Sequence, residues 1–312
     1  MTTIATVTHV TDTAGTLRAA LEKHTSELAR RNATRWSFVL SNGCSFPGWA
    51  QLQDGWLLMG AEIPAKRLAP RSGDGRLWRA MEGNEALSGG AKFVLEPGRG
   101  LALSAERPVD GAVELAARVA AACGGFRRAI ERSSHTTDPE SQQLDLPSQP
   151  GGDPAPAVEP MLRELGWSYS RSDGGRVSVD LEVPGCARRA EVESDTRGTR
   201  VLLELGTWEA GALGPIGRRG LAVFLLSATR AVRMVSAGAR SVPGGETVVR
   251  FGVDLGPRFT AAELAHALSA LSVAWGLGGR EVQALSEERV ARDYLAIQGW
   301  SCSREQAAVA ER

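Results

Sequence analysis

The hydrophobic pattern of the first half changes from a helical period to a strand period. A first helix is predicted because four residues at helical spacing share one face: Leu17, Leu21, His24 and Leu28. Strand-like segments follow at 36–40 and 49–63. The second segment is interrupted by Asp54-Gly55, a dipeptide typical of a tight hairpin turn, so we predict a three-stranded meander.

A short helix, a strand pair and a long helix complete the first half. The short helix is predicted at Arg76–Leu87, and Lys92–Leu95 is predicted to pair with Leu101–Ala105 across Pro97-Gly98. Asp110 is the expected N-cap of the long helix. This helix has an apolar stripe formed by Leu115, Val119, Ala122, Phe126 and Ile130.

The second half repeats this order of elements. A short helix at Met161–Leu165 leads into a predicted four-stranded meander at Trp167–Ser170, Arg176–Val183, Ala190–Glu193 and Thr199–Leu205. A central helix follows at Gly217–Arg230, and then a strand pair at Val232–Ser236 and Thr247–Val253. Two C-terminal helices complete the second half, one after Phe259 and one at Ser286–Ile297.

The helix after Phe259 has a well-defined start. Thr260 and Glu263 have the spacing of a capping box, in which each side chain binds the backbone N–H of the other residue. Phe259 and Leu264 flank this box in the positions of a hydrophobic staple. The apolar face then continues through Leu268, Leu271 and Trp275.

A proline-rich segment separates the two halves. Residues 133–160 hold six of the fifteen prolines, among Ser, Gln, Gly and Asp that bury too little apolar surface to offset their ordering entropy. We therefore divide the chain into a first unit at 14–132, this linker, a second unit at 161–298 and a tail at 299–312. The repeated order predicts two tandem α+β units, each an antiparallel sheet with helices, although two unrelated α+β domains could share it.

Composition and charge exclude several classes of function. The chain has 36 basic and 36 acidic residues, so charge alone does not attract nucleic acid or an anionic membrane. The four cysteines are scattered, which disfavours a zinc ribbon or a disulfide framework. Residues 1–13 lack a signal-peptide pattern, and the longest apolar run, Leu221–Leu226, is too short to span a bilayer. We expect a cytoplasmic protein.

Two local passages accompany the repeated order of elements. Residues 162–169, Leu-Arg-Glu-Leu-Gly-Trp-Ser-Tyr, form a short helix that ends in Gly before a strand, and Asn84 precedes a small-residue loop and the strand pair 92–105. Together with the element order, these passages resemble type III secretion chaperones and the related YbjN-like proteins. The resemblance covers most of both halves.

This resemblance implies a binding protein. Such chaperones usually act as homodimers and hold an extended partner segment along their sheets and grooves. Two such units in one chain imply an intramolecular pseudo-dimer, and the chain itself is then a monomer or a homodimer. The chain differs from the secretion chaperones in being tandem and neutral, where they are small and acidic. Its tandem architecture and arginine-rich, lysine-poor composition are similar to the precursor-peptide-binding proteins of ribosomal peptide pathways such as crocagin biosynthesis.

Candidate catalytic residues are few. Cys44 lies in a glycine-rich turn and is the most nucleophile-like residue, and His24 or His266 on a helix is its candidate base. A cysteine-dependent hydrolase or peptide-modifying enzyme is therefore an alternative function. The chain has no paired-histidine motif, no DxD cluster and no nucleotide-binding glycine motif, so we expect no metal and no cofactor.

Tryptophan is the more informative residue type. The chain has eight Trp against two Tyr, and several aromatic residues crowd into the first meander. Trp36 and Phe38 share one face of a strand, so part of this cluster must be core. The candidate peptide-binding residues are aromatic anchors and arginines that could clamp a carboxylate: Trp36, Trp49, Trp56, Arg35, Arg218, Arg219 and Arg233.

The sequence therefore favours a non-catalytic protein that holds an extended partner peptide by strand addition and hydrophobic anchoring. A ribosomal natural-product precursor, presented to separate modifying enzymes, fits the resemblance. The alternatives are a type III secretion-type chaperone for a protein client and the cysteine-dependent enzyme.

Overall fold

Two antiparallel six-stranded sheets, one from each half of the chain, carry the helices of the molecule. The structure is a computed structural model that describes residues 4–41, 45–63, 75–98, 100–109, 112–134, 157–171, 176–183, 185–195 and 198–300. No helix in these ranges is long and apolar enough to cross a membrane. The architecture is the tandem α+β arrangement that the repeated order of elements predicts.

The first unit consists of one sheet with helices before, between and after its strands. Its helices are α1 (Ile4–His24), α2 (Gly75–Ala86) and α3 (Ala112–Ser134). Its strands are β1 (Ser26–Arg30), β2 (Arg35–Ser41), β3 (Ser45–Gln53), β4 (Trp56–Glu62), β5 (Ala91–Glu96) and β6 (Gly100–Pro108). The strands lie in the order β1-β2-β3-β4-β6-β5.

The second unit has the same arrangement of strands. These are β7 (Tyr169–Arg171), β8 (Val177–Val183), β9 (Cys186–Asp195), β10 (Gly198–Trp208), β11 (Ser236–Ser241) and β12 (Thr247–Gly256), in the order β7-β8-β9-β10-β12-β11. Its helices are α4 (Val158–Glu164), α5 (Pro215–Ala231), α6 (Ala261–Ala274), α7 (Glu281–Ser286) and α8 (Glu288–Ile297). A π-helical turn, Trp275–Gly279, joins α6 to α7.

Each unit has a hydrophobic core on the inner face of its sheet. In the first unit the alternating inward residues of the meander are buried: Trp36, Phe38, Leu40, Phe46, Leu57 and Met59. The apolar stripe of α3 packs against them and is also buried, as predicted: Leu115, Val119, Ala122, Phe126 and Ile130. In the second unit α6 covers the inner face, where it contacts β8, β10 and β12.

Several predicted local features are confirmed. Asp54 and Gly55 form the turn between β3 and β4 with positive φ angles of 52° and 76°, which a primed hairpin turn requires. Thr260 and Glu263 make both hydrogen bonds of the capping box at the start of α6. The strand pair predicted after α2 is present as β5 and β6, but Asp110 lies outside the described residues.

The first helix is shorter at its C-terminal end than predicted. The backbone N–H and the hydroxyl of Thr25 both donate to the Leu21 carbonyl. Glu27 has a φ of 52°, and a right-handed helix cannot continue through a residue with this backbone conformation. Leu28 therefore lies in β1 and not on the helix face with Leu21. The first meander consequently has four strands, like the second one, and the prediction of three was wrong.

Two further boundaries differ from the prediction. Val232–Ser236 is not a strand, because Met234 has a φ of 66° and β11 begins only at Ser236. The helix predicted at 286–297 is interrupted at Glu287, whose extended backbone separates α7 from α8. Helix α3 ends at Ser134 and α4 begins at Val158, so Pro160, assigned to the linker, lies in the first turn of a helix, where proline is tolerated.

The two units pack on each other reciprocally. Helix α2 of the first unit contacts β11 of the second, α5 of the second unit contacts β5 of the first, and the two helices contact each other. Each central helix therefore covers part of the outer face of the other unit's sheet. The chain is an intramolecular pseudo-dimer.

Two hydrogen bonds repeat with the units exchanged. The Met234 N–H, in the loop after α5, donates to Glu106 on β6 at 2.9 Å. The Gly90 N–H, in the loop after α2, donates to Asp254 on β12 at 3.0 Å. Both donors have a positive φ, and both acceptors lie on the second strand of the hairpin that follows a central helix. This exchange is the pattern that a duplicated unit with pseudo-twofold symmetry produces.

Candidate functional site

The outer face of the first sheet carries the candidate binding surface. Because side chains alternate along a strand, the residues that do not enter the core of β2, β3 and β4 share the opposite face. We define the aromatic face by five of them that are exposed or partly exposed: Arg35, Val39, Trp49, Gln51 and Leu58. The strand register places Trp49 beside Gly60, and Gln51 beside Leu58.

Trp49 is held flat on this face by a glycine and an arginine. A Cβ atom at Gly60 would lie 2.6 Å from the indole Nε1 of Trp49, so only glycine allows the ring to lie across β4. The guanidinium of Arg35 stacks over the same ring, with its Cζ 5.0 Å from the ring centroid. The result is a partly exposed aromatic ring with a cation over its face.

Trp36, a predicted binding residue, belongs to the core. It lies next to Arg35 on β2, and alternation therefore directs its side chain to the inner face. Its side chain is 2% exposed, so a partner cannot reach it without unfolding the sheet. The prediction of Trp36 as a binding residue was wrong, and Trp36 is not part of the candidate surface.

Trp56 and Arg233 lie together between the two units. The guanidinium of Arg233 is 4.8 Å from the ring centroid of Trp56, and the imidazole of His266 on α6 is also 4.8 Å away. Burial and the nearby Arg233 charge lower the pKa of His266, which favours the neutral imidazole at pH 7. Trp56 lies on the same face of β4 as Leu58, but Arg233 and His266 of the second unit contact its ring, so this cluster joins β4 to the second unit.

Arg218 and Arg219 stack on tryptophans of other elements. Arg218, in the first turn of α5, lies 5.7 Å from the ring of Trp78 on α2, and Arg219 lies 5.6 Å from the ring of Trp300. Trp78 is buried between the units. The structure therefore separates both arginines from Trp49, and only Arg35 remains beside it among the predicted arginines.

The inner sheet edges are already occupied. Asn84 on α2 is buried, and its amide satisfies the exposed edge of β5: its Oδ1 accepts from the Phe93 N–H at 2.6 Å and its Nδ2 donates to the Phe93 carbonyl at 3.3 Å. The same Nδ2 donates to the Ala237 carbonyl on β11 at 2.8 Å. One side chain thus bonds to backbone groups at both edges.

The outer edges are β1 and β7. Strand β1 pairs with β2 through an irregular register at Glu27, and strand β7 is only three residues long. Short strands and bulges are the features by which proteins prevent a further strand from pairing. Strand addition, expected from the sequence, is therefore less favoured here than binding on the aromatic face.

The interface between the units contains a buried lysine that the sequence interpretation missed. Lys92 on β5 is 1% exposed. Its Nζ donates to the carbonyls of Thr229, Val232 and Val235, at 2.9, 3.0 and 3.1 Å, and lies 2.8 Å from Glu106. Burial lowers the pKa of Lys92, and the Glu106 charge opposes this shift. Lys92 therefore fastens the end of α5 to the first sheet.

Further ion pairs join the units. These are Glu85 with Arg250, Arg118 with Glu263 at 2.8 Å, and Arg107 with Asp254 at 3.4 Å. The signal in the sequence that could have pointed to this interface was the position of Lys92, which is one of only three lysines and lies in an apolar strand. The partners in the three ion pairs were not visible in the sequence, since they lie more than 140 residues apart in the chain.

The described residues do not test the cysteine-dependent alternative. Cys44 lies outside the described residues, and His266 is engaged by Trp56. Within the described part of the chain, Cys123 is buried and Cys186 is exposed. The same part contains no group of three or more His, Cys, Asp or Glu residues that could hold a metal ion.

Comparison with known proteins adds no relative from which a site could be transferred. No protein-family model matches the chain, and no curated protein matches it with statistical significance.

Proposed function

We propose that the protein is a non-catalytic binding protein that holds an extended peptide on the aromatic face. The observation that carries this proposal is Trp49, which is partly exposed, pinned across Gly60 and stacked by Arg35. A ring fixed in this way loses little conformational entropy on binding, and tryptophan buries a large area when a partner covers it. A ribosomal natural-product precursor, held for separate modifying enzymes in the cytoplasm, is the client we propose.

The surroundings of Trp49 define the peptide that fits. Val39 and Leu58 supply partly exposed apolar surface on the neighbouring strands. The exposed residue Arg31 donates to the Ser37 hydroxyl, which shares a face with Arg35, so Arg31 extends the positive charge of Arg35 toward the β1 edge. Since a guanidinium binds a carboxylate through two parallel hydrogen bonds, the partner should carry an apolar or aromatic residue close to an acidic one.

The pseudo-dimer also bears on assembly. Secretion chaperones of the fold that the sequence resembles usually pair two chains, whereas here the second unit already covers β5 and binds Asn84. A second copy is therefore not required to complete either sheet. We propose that one chain is the peptide-binding unit.

Calorimetric titration with synthetic peptides encoded by short reading frames beside the gene tests this function. We expect one of them to bind and to change the tryptophan fluorescence. Trp49→Ala should weaken binding at least about 10-fold, because a central aromatic anchor carries much of the binding energy.

Trp167→Ala is the matched control, because Trp167 is also a partly exposed tryptophan but lies in the second unit, before β7. Its affinity should stay within about threefold of the wild-type value. Absence of binding by all these peptides, or an equal loss of affinity in both variants, contradicts the proposal.

A further inference from the structure

The second unit contains a cleft that is separate from the aromatic face. Its volume is about 530 Å³, and it lies between the start of β9 and the segment that joins α6 to α7. Cys186 and Arg188 come from β9, Trp275 from the π-helical turn, and Arg280 and Gln283 from the following residues.

The π-helical turn shapes one wall of this cleft. A Cβ atom at Gly279 would collide with the six-membered ring of Trp275, so the glycine allows the indole to lie against the backbone one turn later. The guanidinium of Arg188 stacks on the ring, with its Cζ 4.0 Å from the centroid. Single π-helical turns within helices are frequent at functional sites.

Two arginines line the cleft. Arg188 forms no ion pair with any described carboxylate, whereas its neighbour Arg189 pairs with Asp180 at 3.2 Å. The guanidinium of Arg280 lies against Gly185, where a side chain would displace it. The described lining residues include two arginines and no acidic residue. A guanidinium stacked on an indole keeps the N–H groups at its edge available for an anion.

The indole of Trp275 supplies an independent observation. Trp275 is 3% exposed, and its Nε1 has no hydrogen-bond partner among the described residues. A buried N–H without an acceptor costs about 1–3 kcal/mol, so such groups are rare in the absence of a ligand or water. The wall of the cleft therefore carries a buried indole N–H without a partner among the described residues, and the exposed guanidinium of Arg188 stacks on the same ring.

We propose that this cleft binds a carboxylate group. Arg188 and Arg280 provide the charge, and the Gln283 amide provides a neutral donor. A planar carboxylate matches the planar guanidinium fork of Arg188, which forms no ion pair with any described carboxylate. The site lies on the other unit from Trp49, so it is independent of the proposed peptide-binding face.

Alkylation of Cys186 measures the charge of the cleft without a ligand. Cys186 is exposed and lines the cleft, so its rates with iodoacetate and with neutral iodoacetamide, read by peptide mass spectrometry, report the local potential. We expect the iodoacetate-to-iodoacetamide ratio to fall several-fold in Arg188→Ala and Arg280→Ala. Arg189→Ala, which removes the neighbouring paired arginine, should leave it unchanged. An unchanged ratio in Arg188→Ala overturns the proposal.

Indole ¹⁵N NMR measures binding directly. The Trp275 signal, assigned with Trp275→Phe, should shift with N-acetyl-glycyl-glycine and not with its C-terminal amide. The shift should be lost in Arg188→Ala and retained in Arg189→Ala and Trp49→Ala, which separates this site from the aromatic face. Equal responses to acid and amide, or a response to inorganic phosphate alone, contradict the proposal.

A succinate titration identifies the source of the carboxylate. Tighter binding of the peptide acid than of succinate supports a peptide C-terminus as the ligand, and the reverse order supports a small dicarboxylate. Both results retain the carboxylate site.

Discussion

At the residue scale, single buried polar side chains form hydrogen bonds with backbone groups that have no backbone partner. The Asn84 amide bonds to both backbone groups of Phe93 and to the Ala237 carbonyl, and the Lys92 ammonium bonds to three carbonyls at the end of α5. Buried backbone groups need such partners because an unsatisfied group costs more than an average hydrogen bond contributes. These side chains therefore specify how the two units fit together.

Replacement of Asn84 should destabilise the protein. Asn84→Ala leaves the Phe93 N–H and two carbonyls without partners, so we expect the free energy of unfolding to fall by about 2–4 kcal/mol, as measured by urea denaturation. Asn84→Asp should be no better, because a carboxylate cannot donate to the two carbonyls. Arg79→Ala, an exposed change on the same helix, should cost less than about 0.5 kcal/mol. Comparable losses in Arg79→Ala and Asn84→Ala would refute this role.

Cys123 should make the stability depend on pH in the alkaline range. Burial raises the pKa of its thiol from 9.0 to about 11, and Arg127 partly offsets this shift. Between these values the unfolded chain loses the proton that the folded chain keeps, so stability falls as the pH rises. The contribution is about 2–3 kcal/mol across the window.

Urea denaturation at several pH values in this range, with wild type and Cys123→Ala, isolates the effect. The stability difference between the two proteins should narrow as the pH rises, because only the wild type loses this contribution. A difference that does not change with pH contradicts the assignment.

At the element scale, the N-terminal capping box of α6 also takes part in the interface between the units. Glu263 at the third position accepts from the Thr260 N–H through Oε2 at 3.1 Å, and its Oε1 binds Arg118 of α3 at 2.8 Å. Arg118 also binds Glu114 on its own helix. The start of one helix is therefore fixed by a helix of the other unit, and the capping box has a second role beyond helix initiation.

Substitutions at Glu263 and Thr260 should separate these two roles. Thr260→Ala removes one capping bond and should cost about 1 kcal/mol. Glu263→Ala also leaves Arg118 with a reduced set of partners and should cost about 3 kcal/mol, with Glu263→Gln between them, because a glutamine retains the acceptor but not the charge. Thermal or urea unfolding provides the measurement. Glu288→Ala, which breaks an exposed pair with Arg292, is the control and should cost under about 0.5 kcal/mol.

At the scale of the whole molecule, the two units exchange their central helices as covers. Helix α2 lies on the second sheet and α5 lies on the first, so each unit leaves part of its sheet uncovered without the other. The exchanged hydrogen bonds at Glu106 and Asp254 follow the same reciprocity. We infer that the interface, more than the linker, keeps the units together.

Cleavage between the units tests this inference. A specific protease site inserted between residues 150 and 153 should allow the chain to be cut into two fragments that still elute together in size-exclusion chromatography. The paired variant Glu85→Ala with Arg118→Ala, which removes one member of each of two interface ion pairs, should separate more readily after the cut. Separation of the wild-type fragments at micromolar concentration contradicts the inference.

Particular elements show where sequence-based prediction succeeds and fails. The Asp54-Gly55 turn and the capping box at Thr260 are encoded by neighbouring residues, and the structure has both. The segment 232–235 is apolar and was predicted as a strand. It forms a loop because its backbone groups bind Lys92 and Glu106 of the other unit, more than 120 residues away.

The candidate site shows the same division. Alternation along β2 was enough to separate Trp36 from Arg35, although both were predicted as binding residues. The pattern could not show that Trp56 and Arg233 meet His266 between the units. The position of Trp49 depends on Gly60, which becomes its neighbour only when β3 pairs with β4. Among the predicted arginines only Arg35 remains beside Trp49, because α5 carries Arg218 and Arg219 to other tryptophans.

The sequence by itself determined the α+β class, the repeat of two units and the Asp54-Gly55 turn and Thr260 capping box, because these depend on periodicity and local capping. The tertiary structure alone decided which tryptophan is presented on a surface, how the units cover each other and where a positive cleft forms. Those features arise from contacts between residues far apart in the chain, whose pairing has no local signal in the order of the amino acids.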